Sequence, residues 1–325
     1  MPSTRKAEKS DMRILFAGSS AIAVPSLEAL CNINGIELVG VLTNPDSPRG
    51  RHGTPVPSDV GEAAERFGSN GPRILKPMKL DAAAREQVAA LKPDILVSFA
   101  YGRIFGPKFL ALFPLGGINI HPSLLPKYRG PSPIQAAILN RDTITGISIQ
   151  TLALDMDCGD ILAVEQIPLS GKETQGSLSE LAAIKAAQML PDVLNKINNK
   201  TVKAAVQNDS EASYCKLVSK EDGIIDWSRS AAEIEAKIRA FDPWPLCRTI
   251  HNGRELIILK ADVSKGACEQ SGGQPGLVLA VNDGILIQTG DGILAVTHLQ
   301  YQAKKALFWR DFLNGARDFS GSQLV

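Results

Sequence analysis

The sequence contains no CxxC pair. Its five cysteines, Cys31, Cys158, Cys215, Cys247 and Cys268, are scattered and odd in number, which argues against a zinc knuckle or a disulfide framework and for free thiols in a reducing compartment. The first residues, MPSTRKAEKSD, are charged and lack the apolar stretch of a secretory signal. No apolar run approaches the roughly 20 residues that a membrane-spanning helix needs. Net charge is also missing: the formal value is +1, so a polyanionic partner would have to be held by a local patch rather than by bulk attraction. These absences together predict a cytoplasmic protein. Histidine is scarce too, with four in the chain, so each can be weighed separately.

What is present is a chain of 325 residues, 44% hydrophobic and 21% charged, long enough for two domains with a buried core. From about residue 13 to 198, strand and helix signals alternate. MRILFAG, IELVGVLT, DILVSFA, GGINIH, TGISIQTLAL and ILAVEQIPL read as strands. AVPSLEALCN, LDAAAREQVAAL, PIQAAILN and a long pattern from about Gly176 to Ile197 read as helices. That alternation predicts a mostly parallel sheet with helices on both faces. The first strand-to-helix turn, GSSAIAVPS, lacks GxGxxG spacing, so dinucleotide binding is poorly supported. Residues 200 to 215 are polar and read as a connection over the surface. After the helix SAAEIEAKIRAF come five short strands (CRTIHN, ELIILKADV, GLVLAV, GILIQT and ILAVTHLQ) with NG, NDG and GDG turns, the signature of a small OB-like barrel. A late helix carrying Leu307, Trp309 and Phe312 comes after them.

The stretch 119–133, NIHPSLLPKYRGPSP, concentrates the chemistry. Alternation along a strand puts Asn119 and His121 on one face. They stand at the strand's carboxyl end, where open α/β sheets bind ligands. A lone histidine is usually structural, as His251 and His298 in the barrel half are most simply read. An amide beside an imidazole is different, because both can donate to one developing oxyanion. Beyond the next strand, TLALDMDCGDIL carries Asp155, Asp157 and Asp160. These residues fit a polar turn, a calcium loop with mismatched Gly159 and Gln166, or a carboxylate set over the same strand end. Composition and spacing do not separate these three.

NIHPSLLPKYRGPSPIQAAI and TGISIQTLALDMDCGDIL resemble the signature of the formyltransferases that use 10-formyltetrahydrofolate. RILFAGSS, VGVLTNPDSPRGR, SFAYGRIFGP, IDWSRSAAEIEAKIRAFDPWP and TGDGILAVTHLQ extend the likeness to the branch that acts on initiator methionyl-tRNA. The resemblance implies a catalytic domain at 12–200 after an extension at 1–11, a linker at 201–216, and a tRNA-binding OB-like domain at 217–325. It implies Asn119, His121 and Asp157 as catalytic residues, and Ser123, Leu124, Leu125 and Pro126 as the loop beside the folate. The donor would be 10-formyltetrahydrofolate, with no metal, and the protein a monomer. Formyl transfer to an amine passes through a tetrahedral oxyanion, which Asn119 and His121 are suited to stabilise. One such donor is typically worth roughly 3–4 kcal/mol of barrier. Asp157 would orient the imidazole or relay the amine proton.

The loop NPDSPRGRHGTPVPSD offers Arg49 and Arg51 to tRNA, with His52, Gly53 and Thr54 where lysines are frequent in the family. Its prolines and glycines make regular structure there improbable. Lys304, Lys305, Arg310 and Arg317 are the candidate tRNA contacts late in the chain. The rival expectations are the same catalytic core with another acceptor, such as a nucleotide sugar or water, and a tRNA-binding protein whose triplet is idle.

Overall fold

The computed structural model describes residues 11–48, 53–264, 273–281 and 284–325. They form two compact units: the described residues within 1–131, 145–167 and 179–214 make up the first, and those within 132–144, 168–178 and 215–325 the second. The chain crosses between the units at 131/132, 144/145, 167/168, 178/179 and 214/215. The helix at 133–139 buries Ile134, Ala137 and Ile138 and packs on the helix at 231–240 of the second unit.

The first unit is a seven-stranded sheet. In chain order the strands are β1 (Met12–Gly18), β2 (Ile36–Leu42), β5 (Arg73–Leu75), β6 (Ile95–Phe99), β7 (Gly117–His121), β8 (Ile144–Thr151) and β9 (Ile161–Pro168). Two short strands, β3 (Ser47–Pro48) and β4 (Pro55–Val56), form a separate ribbon. This ribbon corrects the expectation that the 45–57 loop lacks regular structure. Its prolines sit where an isolated ribbon needs few amide donors.

The main sheet order is β5-β2-β1-β6-β7-β8-β9. Strands β5, β2, β1, β6 and β7 run parallel, and β7 pairs antiparallel with β8. β6 is buried along its whole length, as a strand covered on both faces must be, which is why it reads as a continuous apolar run. Helices α1 (Val24–Leu30), α2 (Asp59–Glu65), α3 (Ala82–Ala90), α4 (Pro107–Leu110) and most of α6 (Gln175–Asn198) belong to this unit. Ser58 caps α2 and Asp81 caps α3, each side chain accepting from a backbone amide three residues on. Tyr101, Phe105 and Phe109 stack in sequence and Phe113 lies tilted against Phe109, with centroids 5.4, 5.4 and 5.7 Å apart, and the four close the core beneath β6 and β1.

The second unit holds α5 (Pro133–Leu139), α7 (Ala231–Ala240) and an antiparallel half-barrel. Its strands are β10 (Cys247–His251), β11 (Arg254–Val263), β12 (Val278–Val281), β13 (Ile285–Gln288), β14 (Ile293–Tyr301) and β15 (Leu307–Phe308), with α8 (Trp309–Gly315) after them. The order is β10-β11-β14-β13-β12, with β15 on β14. Leu307, expected in the late helix, pairs with Leu299 as a strand residue. Helix α7 opens with a full capping box between Ser230 and Glu233.

The last residues tie the two edges of the half-barrel together. Ser322 and Leu324 bond to Val278 and Gly276, while Val325 exchanges both backbone hydrogen bonds with Ile250 of β10. Such pairing removes exposed sheet edges. Cys31, Cys158 and Cys247 are free thiols, and burial pushes the Cys247 thiol up to about 12. Cys268 lies outside the described residues. None of the described helices is long and apolar enough to cross a membrane.

Candidate active site

The parallel strands bring Asn119 and His121 to the carboxyl end of β7. In the ladder Asn119 lies opposite Gln150 of β8 and His121 opposite Ser148, so four polar residues stand side by side at one sheet edge. His121 is 4% exposed. Its Nε2 lies 2.8 Å from the carbonyl oxygen of Tyr128. A carbonyl only accepts, so Nε2 carries the proton and Nδ1 is turned toward Asp157, 3.5 Å from its Oδ1.

Asp157 is the focus of the site. Its Oδ1 accepts from Asn119 Nδ2 at 3.3 Å and from Gln150 Nε2 at 2.9 Å, and its Oδ2 accepts from the Gly130 amide at 2.8 Å. The donors come from two adjacent strands and from the loop after β7. A carboxylate so surrounded presents acceptors only, which suits it to hold an imidazole or a water in one orientation. Of the three aspartates in the turn, Asp155 is exposed and Asp157 alone reaches the histidine. No group of three or more His, Cys, Asp or Glu among the described residues is arranged to hold a metal ion, so the calcium-loop reading of the turn has no support.

The backbone explains why the turn takes this shape. Asp157 adopts φ +56°, a left-handed conformation that aspartate tolerates better than most side chains. Two residues on, a Cβ on Gly159 would stand 1.7 Å from the Thr151 carbonyl oxygen, so only glycine fits that approach. The Thr151 hydroxyl accepts from the Asp160 amide at 2.9 Å and closes the turn.

The 123–126 loop is held at the same edge. Ser148 Oγ donates to the Ser123 carbonyl at 2.8 Å and accepts from the Leu125 amide at 3.0 Å. Ser123 and Leu125 are buried, whereas Leu124 and Pro126 are half-buried. Arg49 and Arg51 lie outside the described residues. Lys304 and Lys305, with Arg310 and Arg317, belong to the second unit and are all exposed.

Three residues of the site carry no signal in the sequence. Gln150 is hidden in a β-branched strand, and only the strand register puts it over Asn119. Arg129 lies in the Pro- and Gly-rich loop, yet is 2% exposed. Gln207 comes from the stretch read as a surface connection; that stretch is otherwise exposed or half-buried, and Gln207, at 8% exposed, is its one buried residue. Its amide turns inward because it meets the carbonyl oxygens of Asp157 and Gly159 at 2.8 and 2.7 Å.

A mostly parallel sheet with an Asn, a His and an Asp converging at its carboxyl edge, in a chain that also carries an antiparallel half-barrel, is an arrangement consistent with formyl-group transfer. The family models agree: residues 12–194 match the formyl transferase domain and 217–317 its C-terminal domain, and the chain belongs to that family. It is 50% identical over 317 residues to the methionyl-tRNA formyltransferase of Treponema denticola, covering 95% of this chain and 98% of the relative. It is 45% identical over 314 residues to that of Treponema pallidum (strain Nichols), covering 94% and 97%. In fold it is similar to the N-formyltransferase of Helicobacter canadensis, solved with folinic acid and dTDP-3-aminofucose. That match has a TM-score of 0.64 at 23% identity over 88% of this chain and 99% of the other.

Proposed function

We propose that this chain transfers a formyl group from 10-formyltetrahydrofolate to the amino group of methionine on initiator methionyl-tRNA, acting in the cytoplasm as a monomer. The observation that carries the reading is the convergence of Asn119 and His121 on Asp157, at 3.3 and 3.5 Å, at the carboxyl edge of the sheet, in a chain whose named relatives match it over 94–95% of its length.

The residues at this edge fit a folate. The half-buried Leu124 and Pro126, and the exposed Leu154 and Met156 flanking Asp157 in its turn, are apolar surface that a flat heterocycle would cover. When bound, the donor supplies an activated formyl carbon. The side chains do the rest. Asn119 Nδ2 has a second N–H beyond the one given to Asp157 and donates it to the oxygen on which negative charge builds, and the imidazole of His121 joins it when Nε2–H exchanges the Tyr128 carbonyl for that oxygen; preorganised donors of this kind are typically worth roughly 3–4 kcal/mol each. The Asp157 carboxylate accepts from Nδ1 of the imidazole when that nitrogen is protonated, and takes or relays the proton lost by the attacking amine. Ser123 and Leu125 serve the folate site through the backbone conformation that Ser148 fixes, since their side chains are buried. For tRNA, Arg49 and Arg51 would meet the acceptor end, and Lys304 and Lys305 the body, as guanidinium and ammonium contacts to phosphate.

The test is direct: incubate the full chain with 10-formyltetrahydrofolate and charged initiator tRNA and measure formyl-methionine. The expected result is catalytic turnover. No formyl-methionine, with formyl transfer to a nucleotide amino sugar or release to water instead, would replace this acceptor with another.

A further inference from the structure

Behind the catalytic carboxylate runs a buried polar chain that the reaction itself does not call for. Arg129 donates from Nε and Nη2 to Oε1 of Gln207 at 3.0 and 2.9 Å, and from Nη2 to Asp209 at 2.7 Å. Two donors on one amide oxygen leave no alternative orientation for Gln207: its NH2 must point away from the guanidinium. There it meets the carbonyl oxygens of Asp157 at 2.8 Å and Gly159 at 2.7 Å, and Gln150 Oε1 at 3.2 Å. The two amide protons serve the two short contacts, so Gln207 grips the backbone of the Asp turn itself. The longer contact faces Gln150 Oε1, which leaves Gln150 Nε2 free to donate to Asp157 Oδ1.

We propose that Gln207 is a positioning residue for the transfer reaction: a clamp, set by Arg129, that holds Asp157 in its left-handed conformation and aims its carboxylate at His121. The inference rests on the formyl-transfer reading above. A left-handed conformation is unfavourable for a non-glycine residue. It persists only where its surroundings over-determine it. The Gln207 amide supplies that constraint at the residue itself and again two residues on, at Gly159. Without the clamp the turn relaxes, Asp157 swings off Nδ1 of His121, and the imidazole loses its orienting partner while both substrate surfaces remain. A misplacement of about 1 Å at a reacting group can cost about 10²-fold in rate.

The placement of Gln207 fits this role. The segment that delivers it is fastened beside the site: the Arg129 amide donates to the Ser213 carbonyl and the Ser213 amide to the Pro126 carbonyl, and the Tyr128 amide donates to Ser213 Oγ at 3.0 Å. Gln207 is thereby tied to the loop that carries both the Tyr128 carbonyl, which fixes His121 Nε2, and the Gly130 amide, which fixes Asp157 Oδ2.

Two variants of the full chain test the clamp. Gln207→Glu keeps an acceptor for Arg129, so the buried cation retains a partner, but presents an oxygen where the amide donated. Gln207→Met removes both functions. We expect kcat for formylation to fall about 10- to 100-fold in Gln207→Glu, with KM for donor and for charged tRNA changed less than twofold. In an Asp157→Asn background the same substitution should cost almost nothing, because a residue that acts through Asp157 cannot act after it is gone. A readout independent of activity is the pair of imidazole 15N signals of His121, assigned by loss in His121→Asn. Gln207→Glu and Gln207→Met should move them in the direction that Asp157→Asn does. Equal losses of kcat in both backgrounds, or His121 signals unmoved in a folded Gln207→Glu protein, would overturn the clamp. A parent protein inactive on charged tRNA whose His121 signals still respond would leave the clamp standing and remove the acceptor assignment instead.

Discussion

Replacing Asp157 with asparagine removes one charge and one acceptor with almost no change in shape, so its effects can be worked out contact by contact. The carboxylate meets three hydrogen-bond donors, Asn119 and Gln150 on Oδ1 and Gly130 on Oδ2, with His121 Nδ1 facing Oδ1 at 3.5 Å. An amide has a single oxygen, so one side must present NH2 to an N–H. The less costly choice keeps oxygen toward Asn119 and Gln150 and sets NH2 against the Gly130 amide. One opposed donor pair in a half-buried site costs about 1–3 kcal/mol of stability. The catalytic loss should be larger. Asp157 can no longer take the amine proton or pair with a charged imidazole, and loss of general acid–base function typically costs about 10²–10⁴-fold. The assay is single-turnover formylation of charged initiator tRNA at saturating donor, beside a urea denaturation curve on the same protein. A turnover within tenfold of the parent, in a protein that remains folded, would refute the role given to this carboxylate.

Three further outcomes are expected. Thr249→Val should destabilise the second unit by about 1–3 kcal/mol. The hydroxyl that accepts from Trp227 Nε1 at 3.0 Å and donates to the Val325 carbonyl at 2.9 Å would vanish, leaving a buried indole N–H unpaired; a denaturation midpoint equal to the parent's would refute this. Burial of the His251 imidazole holds its pKa below the usual 6.5. The neutral ring therefore contributes stability above about pH 6.5 that is lost as pH falls through the folded value. The urea midpoint of the second unit should drop on acidification, and His251→Gln should flatten that slope; an unchanged slope would reject the linkage. Arg51→Ala should lower kcat/KM for charged tRNA by about 1–3 kcal/mol, the range of one good bidentate contact, with folate binding unchanged. Arg51→Lys should recover only part, since an ammonium cannot reproduce the fork; unaltered kinetics, or an equal loss of folate affinity, would reject the tRNA role.

The sequence by itself determined the periodicities and the residue types. The largely apolar, buried runs of β1 and β6 and the alternation of strand and helix signals announce a parallel sheet. The step of two between Asn119 and His121 fixes their shared face, because strand alternation is a local property. The short alternating strands after residue 246, with their Gly-bearing turns, likewise announce the half-barrel. Asp157 could be named only by resemblance, since nothing local distinguishes it from Asp155 and Asp160. Tertiary structure made that distinction: the positive φ at Asp157, permitted by the tight approach of Gly159 to Thr151, turns one carboxylate inward and leaves Asp155 exposed. It also decided the partners. Gln150 meets Asp157 because β7 and β8 pair in one register, and a slip of one residue would send its side chain to the other face. Arg129 and Gln207 lie 78 residues apart in stretches whose polarity reads as surface. They are buried because a guanidinium, an amide and two turn carbonyls satisfy one another there, and mutual satisfaction of polar groups is a property of the assembled fold that no single segment encodes.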